Sequence, residues 1–437
     1  MGSSWLIVYL VLSGLAVLQV FLLGLQSWEH RRYARSRLRQ IPNNRPHGRI
    51  MVFAPCKGLD VGLEANLRRL FHQDYSDYEL VFILENAWDP ACALIRRLMR
   101  EYPEVPSRLI IAGRAGRSGQ KVHNLRVATA DLPLEVEYLV FVDSDAQPRP
   151  EWLRAIVSRL HGERTGAVTG YRWLVPQHRS LASYLLYSIN SRVALLFGNR
   201  DWYPVWGGSW AIRRETFEAA GIRDAWQGTL SDDLVAGCVL RKHKLRVEFE
   251  PACMVASPLK SNFSQMFLFL RRQYLIGRSY VPVFWAVGFL AVTFPNLIRL
   301  ATLGAILGGL LTGTLSPWIP IAVYSLLYGL NVYRGMIRQD LAGIYFPHLE
   351  SQLRGPRRFD IWMEPLISLV NWVGMISSLF GQTITWRGVT YRLFRGGRIE
   401  TTHRCEEPTS PDHEPPREDS DREIAPKKRH ASYRRAG

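Results

Sequence analysis

Residues 5–25 form an unbroken run of uncharged, mainly apolar side chains close to the amino terminus. A helix needs about 20 such residues to cross a bilayer. The basic run 30–37 follows at once, so the positive-inside rule predicts a cytosolic flank and an amino terminus outside. In a cleaved signal peptide, the alternative, basic residues would precede the apolar run. We therefore predict a membrane anchor with its basic flank over residues 1–45.

The charge balance favours anionic partners. The chain has 55 Lys and Arg against 38 Asp and Glu, which gives a net charge of +17. Such an excess suits a membrane surface, a phosphate-rich ligand or nucleic acid. The arginines cluster beside apolar segments, as in 30–37. This placement predicts a membrane partner and no nucleic acid.

Residues 46–260 alternate between two patterns. Short apolar runs predict strands at 50–55, 79–85, 107–113 and 138–145, and helical patterns lie between them near 60–72, 89–101 and 120–130. Continuous apolar strands are typical of a parallel sheet buried on both faces. The alternation predicts an α/β domain whose ligand binds beyond the carboxyl ends of the strands.

The last third of the chain returns to apolar segments. Residues 261–280 predict an amphipathic helix on the membrane surface, with a core helix as the alternative. Apolar runs at 281–312, 317–335 and 361–385 predict membrane or interfacial segments over 281–385. Basic segments flank the last run on both sides, which leaves the number of spans open. Glu364, Asn371 and Gln382 within this run are costly in lipid, so we expect it to lie partly in the interface. Residues 386–437 predict a basic cytosolic segment, with a disordered tail from 402.

Two acidic motifs carry the candidate chemistry. Asp143 and Asp145 follow the most apolar predicted strand, where two carboxylates can share Mg²⁺ or Mn²⁺ with substrate phosphates. As a bare pattern, D-x-D also occurs in solvated loops. Asp232 and Asp233 open a helical pattern, either as capping residues or with one carboxylate as a general base for a hydroxyl.

Further segments allow both a structural and a functional interpretation. The glycine-rich, basic loop 113–121 is a phosphate-binding candidate or a flexible surface loop. Asp89 precedes Pro90 at a predicted helix start, where capping is the simpler role. Gly207 and Gly208 follow Trp206, whose ring either stacks on a ligand or fills the core.

Taken in order, these motifs resemble family 2 glycosyltransferases, closest to ceramide glucosyltransferases. The likeness covers residues 50 to 280, roughly half the chain. It rests on 57–60 (KGLD), Asn66-Leu67, 73–75 (QDY), 78–80 (YEL), 89–91 (DPA), the K-x-x-N pair Lys121 and Asn124, Asp143, and Asp233. The resemblance implies a GT-A domain, which is nucleotide-sugar-binding and Rossmann-like with a mostly parallel sheet, together with transmembrane helices.

The resemblance also implies roles for individual residues. Donor binding would involve Lys57, Asp89, Lys121, Asn124 and Asp143. Asp143 and Asp145 would hold the Mg or Mn cation, and Gly207, Gly208 and Trp206 would lie near the acceptor. The catalytic group would be Asp233 as base, with Asp232 and Arg272. The family's Q/R-x-x-R-W motif is incomplete, because 269–273 reads FLRRQ and keeps only Arg272.

The predicted protein is a multi-pass membrane glycosyltransferase with a cytosolic catalytic domain. By the resemblance it moves a sugar, expected to be glucose, from a UDP-sugar to a lipid acceptor such as ceramide, with inversion. A processive polysaccharide synthase is one alternative, but it would need more spans and an intact Q-x-x-R-W motif. A non-catalytic multi-pass membrane protein is another, and its apolar segments would carry more paired polar residues along a pathway.

Overall fold

The computed structural model describes residues 2–41, 46–200, 203–313, 316–394 and 396–404. Most of the predicted disordered tail, 405–437, lies outside the described residues. The described part of the chain holds α-helices and β-strands, with a short 3₁₀ turn at Pro347–Leu349.

The helices are α1 (Gly2–Gln40), α2 (Leu63–Phe71), α3 (Ala91–Glu101), α4 (Gln120–Ala128), α5 (Trp152–Val157), α6 (Leu181–Ala194), α7 (Arg214–Ala219), α8 (Ile222–Ala225), α9 (Asp232–Lys242), α10 (Phe263–Tyr280), α11 (Pro282–Thr312), α12 (Trp318–Tyr345), α13 (Glu350–Trp362) and α14 (Glu364–Ser377). The strands are β1 (Arg49–Pro55), β2 (Tyr78–Leu84), β3 (Ser107–Ile111), β4 (Val136–Val142), β5 (Thr165–Pro176), β6 (Ser209–Arg213), β7 (Arg246–Leu259), β8 (Thr383–Trp386), β9 (Val389–Leu393) and β10 (Ile399–Arg404).

The α/β domain is built on one mostly parallel sheet. In the described residues its strand order is β3-β2-β1-β4-β6-β5-β7, and β6 alone runs against its neighbours β4 and β5. The four predicted strands are confirmed as β1 to β4, and the three helices between them as α2, α3 and α4. The fold is the predicted α/β, GT-A-like one, with helices packed against the sheet.

The sheet is buried on both faces, which explains the continuous apolar runs. Ile50 to Ala54 of β1 have no exposed surface. Alternate residues of β1 enter two different hydrophobic clusters, one on each face of the sheet. In one of them, Phe141 of β4 stacks on Trp210 of β6 with ring centroids 4.3 Å apart. This packing fixes the strand ends at which the acidic motifs lie.

Two described helices are long and apolar enough to cross a membrane, within Ser4–Gln40 and at Pro282–Thr312. Helix α12, which covers the predicted apolar run 317–335, is not one of them, and its middle carries Asn331 and Arg334. The carboxyl-terminal half of α1 packs on the sheet domain instead. There Tyr33 donates a hydrogen bond of 3.0 Å to the Phe249 carbonyl, and Arg37 lies 2.7 Å from Glu250.

The predicted amphipathic helix is α10, which Asn262 and Gln265 begin with a reciprocal capping box. Met266 and Leu270 are buried, whereas Phe263 and Phe267 are exposed, so only part of the apolar face of this helix is covered by the core. Exposed aromatic side chains suit a membrane surface, and the interfacial position of α10 stays a prediction.

Two boundaries near the carboxyl terminus were wrong. Residues 383–385 were predicted to end the apolar region and 402–404 to begin a disordered tail. They instead belong to β8 and β10 of a three-stranded antiparallel sheet, β10-β9-β8. The alternation in β9 explains the error, because Val389, Tyr391 and Leu393 are buried while the residues between them face outward. This short amphipathic pattern was concealed among basic residues.

Candidate active site

The candidate residues meet at one edge of the sheet. Lys57, Glu85 and Asp143 each follow the carboxyl end of a parallel strand, namely β1, β2 and β4. Because β6 runs in the opposite direction, the residues before it, Gly207 and Gly208, lie at this same edge. The Asp143 amide donates a hydrogen bond of 3.3 Å to the Gly208 carbonyl. The sheet topology thus brings together motifs that are far apart in the sequence.

Lys121, in the first turn of α4, is the centre of the site. Its Nζ lies 2.7 Å from Asp143 Oδ1 and 3.1 Å from Asp232 Oδ1. The same ammonium donates to the Gly207 carbonyl at 3.3 Å. One cation therefore joins the D-x-D segment, the start of α9 and the glycine pair.

Asp233 is held by three donors. Gly207 N–H donates to Oδ2 at 2.8 Å, and Leu234 N–H donates to Oδ1 at 2.7 Å. The Ser231 hydroxyl also donates to Oδ1. Ser231 serves as the N-cap of α9, accepting from Leu234 N–H at 3.4 Å. The capping role is thus shared by Ser231 and Asp233, and Asp232 takes no part in it.

The two glycines allow close approach of the backbone to the acidic groups. A Cβ on Gly207 would lie 2.9 Å from Lys121 Nζ and 3.0 Å from Asp232 Oδ2. One on Gly208 would lie 2.8 Å from Asp143 Oδ2 and would overlap the Trp206 ring. A side chain at either position would therefore displace the charged groups.

The carboxylates differ in their protonation. Burial favours the neutral form of Asp143, but the Lys121 ammonium outweighs it and lowers the Asp143 pKa. Burial and the neighbouring Asp143 raise the pKa of Asp145. Burial, with Asp233 and Asp143 acting against Lys121, raises the pKa of Asp232 to about 7. The pocket thus combines an ionised carboxylate with two that hold protons more tightly.

The predicted metal ligands fit a cation only in part. Among the described residues, no three His, Cys, Asp or Glu side chains form a group able to hold a metal ion. Asp145 Oδ1 is buried and has no hydrogen-bond partner, and its other oxygen is 3.9 Å from Arg172. Two carboxylates, one with an unpartnered oxygen, match a Mg²⁺ or Mn²⁺ site that takes further ligands from a diphosphate.

The predicted donor-binding residues lie along the neighbouring strand ends. Asp89 accepts hydrogen bonds from Gly58 N–H and Ala91 N–H, each at 2.9 Å, and so fixes the loop after β1. Lys57 pairs with Glu85 at 3.1 Å. Asn124 accepts from Gln120 at 2.8 Å, behind Lys121 on α4. The contacts of Asp89 and Lys57 hold the loop after β1, and the contact of Asn124 lies within α4.

The carboxyl-terminal sheet supplies residues that the sequence motifs did not reveal. The Arg272 guanidinium lies 5.1 Å from the ring centroid of Trp386 and 5.4 Å from that of Phe269. Burial and the neighbouring Arg172 and Arg387 lower the Arg272 pKa to about 10. Trp386 ends β8 and provides the aromatic contact that the incomplete Q/R-x-x-R-W motif lacks. The only sequence signal for it was an isolated tryptophan in a basic segment.

Arg387, the next residue, pairs with Asp60 in the loop after β1. Its Nη1 lies 2.8 Å from Asp60 Oδ1 and 3.2 Å from the Lys57 carbonyl. Its φ of 52° is in the left-handed region, which is uncommon for a residue other than glycine. This turn ties the carboxyl-terminal sheet to the strand edge that carries the acidic motifs.

A cavity of about 1730 Å³ opens beside these residues. Asp143, Lys121, Asp232, Asp233 and Arg272 line one part of it, together with Trp206 and Gly207. Apolar residues of α1 and α11 line another part. The volume exceeds the roughly 300–1,000 Å³ typical of a drug-sized ligand site. The charged groups therefore face a space shared with the two helices long enough to cross a membrane.

Comparisons with known proteins show the family of the chain. The family model described as Glycosyl transferase family 21 matches residues 11–399. Ceramide glucosyltransferase 3 of Caenorhabditis elegans is 24% identical over 362 residues, which are 80% of this chain and 74% of that protein. A ceramide glucosyltransferase of Komagataella phaffii is 33% identical over 61 residues, 14% of this chain and 12% of that one. The predicted resemblance to ceramide glucosyltransferases is confirmed.

Among solved structures, the mannosyltransferase PcManGT from Pyrobaculum calidifontis, in complex with GDP-Man and Mn²⁺, superposes with a TM-score of 0.44 and 16% identity. The match covers 84% of this chain and 97% of that one.

Proposed function

The chain belongs to glycosyl transferase family 21, and from this membership we propose that it transfers a sugar from a UDP-sugar to a membrane lipid, with inversion and with a divalent cation. That the protein is a glycosyltransferase follows from the family. Glucose as the sugar and a ceramide-like lipid as the acceptor are the finer parts of the proposal. The observation that carries it is the cavity shared by the acidic cluster and the apolar faces of α1 and α11.

The donor is proposed to lie along the carboxyl edge of β1, β2 and β4. Lys57, Asp89, Lys121 and Asn124 would bind it there, and the Lys121 ammonium would contact the anionic diphosphate. Asp143 and Asp145 would hold Mg²⁺ or Mn²⁺, which when bound would offset charge on the departing diphosphate. Donor binding would then release Lys121 in part from its carboxylate partners.

The proton of the acceptor hydroxyl is proposed to pass to Asp233. Three donors fix this carboxylate in place, and it lines the cavity beside Gly207 and Trp206. A fixed carboxylate removes the proton as the hydroxyl attacks the anomeric carbon, and a single in-line displacement inverts that carbon. Asp232 and Arg272 would be further charged groups beside the departing diphosphate.

The acceptor is proposed to enter from the bilayer side. Exposed apolar side chains on α1 and α11 include Leu22 and Val287, and both residues also line the cavity. A lipid can therefore bring its hydroxyl to Asp233 while its apolar part stays against these helices. This route requires the catalytic domain to lie at the cytosolic face, as the basic flank 30–37 predicts.

Transfer assays on purified full-length protein test the proposal. The protein is incubated with labelled UDP-sugars and ceramide, with Mg²⁺ or Mn²⁺ or with a chelator, and the labelled lipid is identified by mass. We expect one added sugar, loss of transfer with the chelator, and loss of transfer in Asp143→Ala and Asp233→Asn. Asp131→Asn, at an exposed position, is the matched control and should be active.

Wild-type turnover by Asp233→Asn would remove the base assignment. A ladder of products would indicate a polymerase instead. Labelling with none of the UDP-sugars would contradict the proposed donor class.

A further inference from the structure

Among the arginines that line the cavity, three lie around Glu364 on helices that do not carry the proposed catalytic carboxylates. Arg192 lies on α6, Arg299 on α11 and Arg334 on α12, and Glu364 at the start of α14 is the acidic residue among them. We call Arg192, Arg299 and Arg334 the arginine cluster. Four helices converge here, so the cluster is part of the packed structure.

Glu364 cannot neutralise the arginine cluster. Arg299 takes the close contact, at 2.7 Å, and Arg192 lies 3.7 Å from the other carboxylate oxygen. In the described residues, Arg192 Nε and Nη2 and Arg334 Nε are buried without a hydrogen-bond partner. Burial and the nearby Arg338 also lower the pKa of Arg192.

The neighbouring charged residues do not neutralise the excess positive charge of the arginine cluster. Arg338 and Asp360 pair with each other at 2.7 Å, and both are almost fully buried. Gln339 also donates to the Asp360 oxygen that Arg338 contacts. Arg192, Arg299, Arg334 and Arg338 are thus accompanied by only two carboxylates, those of Glu364 and Asp360. Buried guanidinium groups require anionic or hydrogen-bonding partners, so the cluster is two negative charges short.

The surroundings of the arginine cluster indicate what kind of anion would fit. The same cavity has an apolar wall from α1 and α11, and its acidic end at Asp143, Asp232 and Asp233 disfavours a second anion there. An amphiphile would place its apolar part against the wall and its acidic group at the arginines. Arginine suits phosphate and carboxylate because its planar fork donates two parallel hydrogen bonds.

We propose that the arginine cluster binds the acidic headgroup of an anionic lipid inside the cavity. The phosphate or carboxylate of this lipid takes the unpartnered donors of Arg192 and Arg334, while Arg299 stays paired with Glu364. Binding of this lipid does not depend on the proposed sugar transfer, since it uses none of the residues assigned to that reaction.

Native mass spectrometry of retained lipid tests the proposal. The full-length protein is reconstituted in vesicles of phosphatidylcholine with phosphatidylglycerol, extracted in mild detergent and washed before measurement. We expect the wild type to retain phosphatidylglycerol in preference to phosphatidylcholine. Arg334→Gln should lower this retention about tenfold, as expected for loss of a charge-assisted hydrogen bond.

Variants separate a specific site from a general effect of charge. Arg354→Gln makes the same change at an exposed position on α13 and should retain the lipid like the wild type. Arg334→Lys keeps the charge and should restore part of the retention. Arg192→Gln provides an independent removal of a donor if Arg334→Gln does not fold. Asp233→Asn should retain the lipid fully, so failure of the transfer assay and failure of this proposal are distinguishable.

Equal retention of both lipids by the wild type would overturn the proposal. So would equal retention of phosphatidylglycerol by Arg334→Gln, Arg192→Gln and Arg354→Gln. Inorganic phosphate is added in excess in a second arm. Release of the lipid by phosphate alone, with phosphate bound in its place, would assign the site to the free anion. That result would overturn the proposal that the site binds a lipid.

Discussion

At the residue scale, Lys121 decides how the candidate site is charged. Its ammonium contacts Asp143 and Asp232 directly, and Asp233 is close enough to raise its pKa together with them, against the effect of burial. One cation among three carboxylates leaves the site acidic overall. Such a site attracts a divalent cation before it attracts a diphosphate, so we expect metal and donor to bind interdependently.

Asp232 is expected to make transfer depend on pH near neutrality. Its pKa is raised to about 7, chiefly by burial, so the side chain is protonated below that pH and loses its ion pair with Lys121. We predict that kcat/KM rises as the pH increases through about 7, since kcat/KM reports groups of the free enzyme. In Asp232→Asn the inflection should be absent. The profile is measured by initial rates from roughly pH 5 to 9, a range over which the Asp143 carboxylate stays ionised.

The stability change should have the opposite sign. Because the folded pKa lies above the ordinary value for Asp, ionisation of Asp232 weakens the fold as the pH rises from about 4 through about 7. Thermal unfolding of Asp232→Asn should lack this component. An unchanged inflection in the variant's rate profile would assign the titration to another group.

Gly208→Ala tests the close packing at the end of β4. The added methyl group would meet the Trp206 ring and lie 2.8 Å from Asp143 Oδ2, so it must move one of them. We predict a loss of about 100-fold in kcat/KM, the effect of misplacing a reacting group by about 1 Å. Gly304→Ala in α11 is the control, because no atom lies within 4 Å of the added Cβ. Wild-type activity of Gly208→Ala would show that this backbone has room to adjust.

At the element scale, the sequence predicted the buried strands. It did not predict that the start of β6 lies beside the carboxyl ends of β1, β2 and β4. Strands β1 to β4 are marked by continuous apolar runs, so Asp143 and Asp145 could be expected at the carboxyl edge of the sheet, whereas Lys57 and Lys121 were assigned to the site only through the family resemblance. The reversed direction of β6 leaves no trace in its sequence, so the contact of Gly208 with Asp143 emerged only from the pairing of β4 with β6. The part of the site that the sequence did not predict depends on strand pairing between distant segments, which local sequence patterns do not encode.

The same reason explains the carboxyl-terminal sheet. Its strands are short, of 4, 5 and 6 residues, and basic residues interrupt their alternation. Contact with the catalytic domain stabilises it, through Arg387 with Asp60 and through Arg404 with Glu85. A segment that is ordered by distant partners resembles a solvated tail when it is considered alone.

Trp386 in this sheet is expected to support Arg272. The guanidinium lies over the indole at 5.1 Å, a cation–π contact worth about 0.5–2 kcal/mol. We predict that Trp386→Ala lowers kcat/KM about tenfold, that Trp386→Phe recovers part of the loss, and that the Asp232-dependent pH inflection is unchanged. Steady-state kinetics with donor and acceptor varied in turn would show which substrate is affected.

Phe394→Ala is the matched control for Trp386→Ala. Phe394 follows β9 and has the guanidinium of Arg392 at 5.5 Å from its ring centroid, but neither side chain lines the cavity. Loss of the same contact type in the same sheet should leave the kinetics near those of the wild type. Equal losses in both variants would mean that Trp386 acts only through the stability of the sheet.

At the scale of the whole molecule, α1 joins the proposed membrane anchor to the catalytic sheet. A helix of 39 residues is about 58 Å long, well beyond the roughly 30 Å of a bilayer's hydrocarbon core. Its exposed apolar half and its carboxyl-terminal half, packed on β7, belong to one continuous element. In the proposed membrane arrangement, this continuous helix would hold the edge that carries the acidic motifs at a fixed distance from the bilayer.

Arg37→Ala measures how strongly this coupling stabilises the protein. Arg37 pairs at 2.7 Å with Glu250, whose side chain is only 1% exposed, so its removal leaves a buried carboxylate without its cation. We predict a loss of about 3 kcal/mol in the free energy of unfolding, the usual result of breaking a buried pair on one side. Arg35→Ala removes a matching pair with Asp340, but there the side chains are 44% and 46% exposed, and the loss should stay below about 1 kcal/mol.

Glu250→Gln combined with Arg37→Ala should recover much of the stability, because the amide carries no charge to bury. Unfolding is followed by tryptophan fluorescence in detergent, and equal losses for Arg37→Ala and Arg35→Ala would show that the carboxyl-terminal half of α1 is not held to the sheet by this pair.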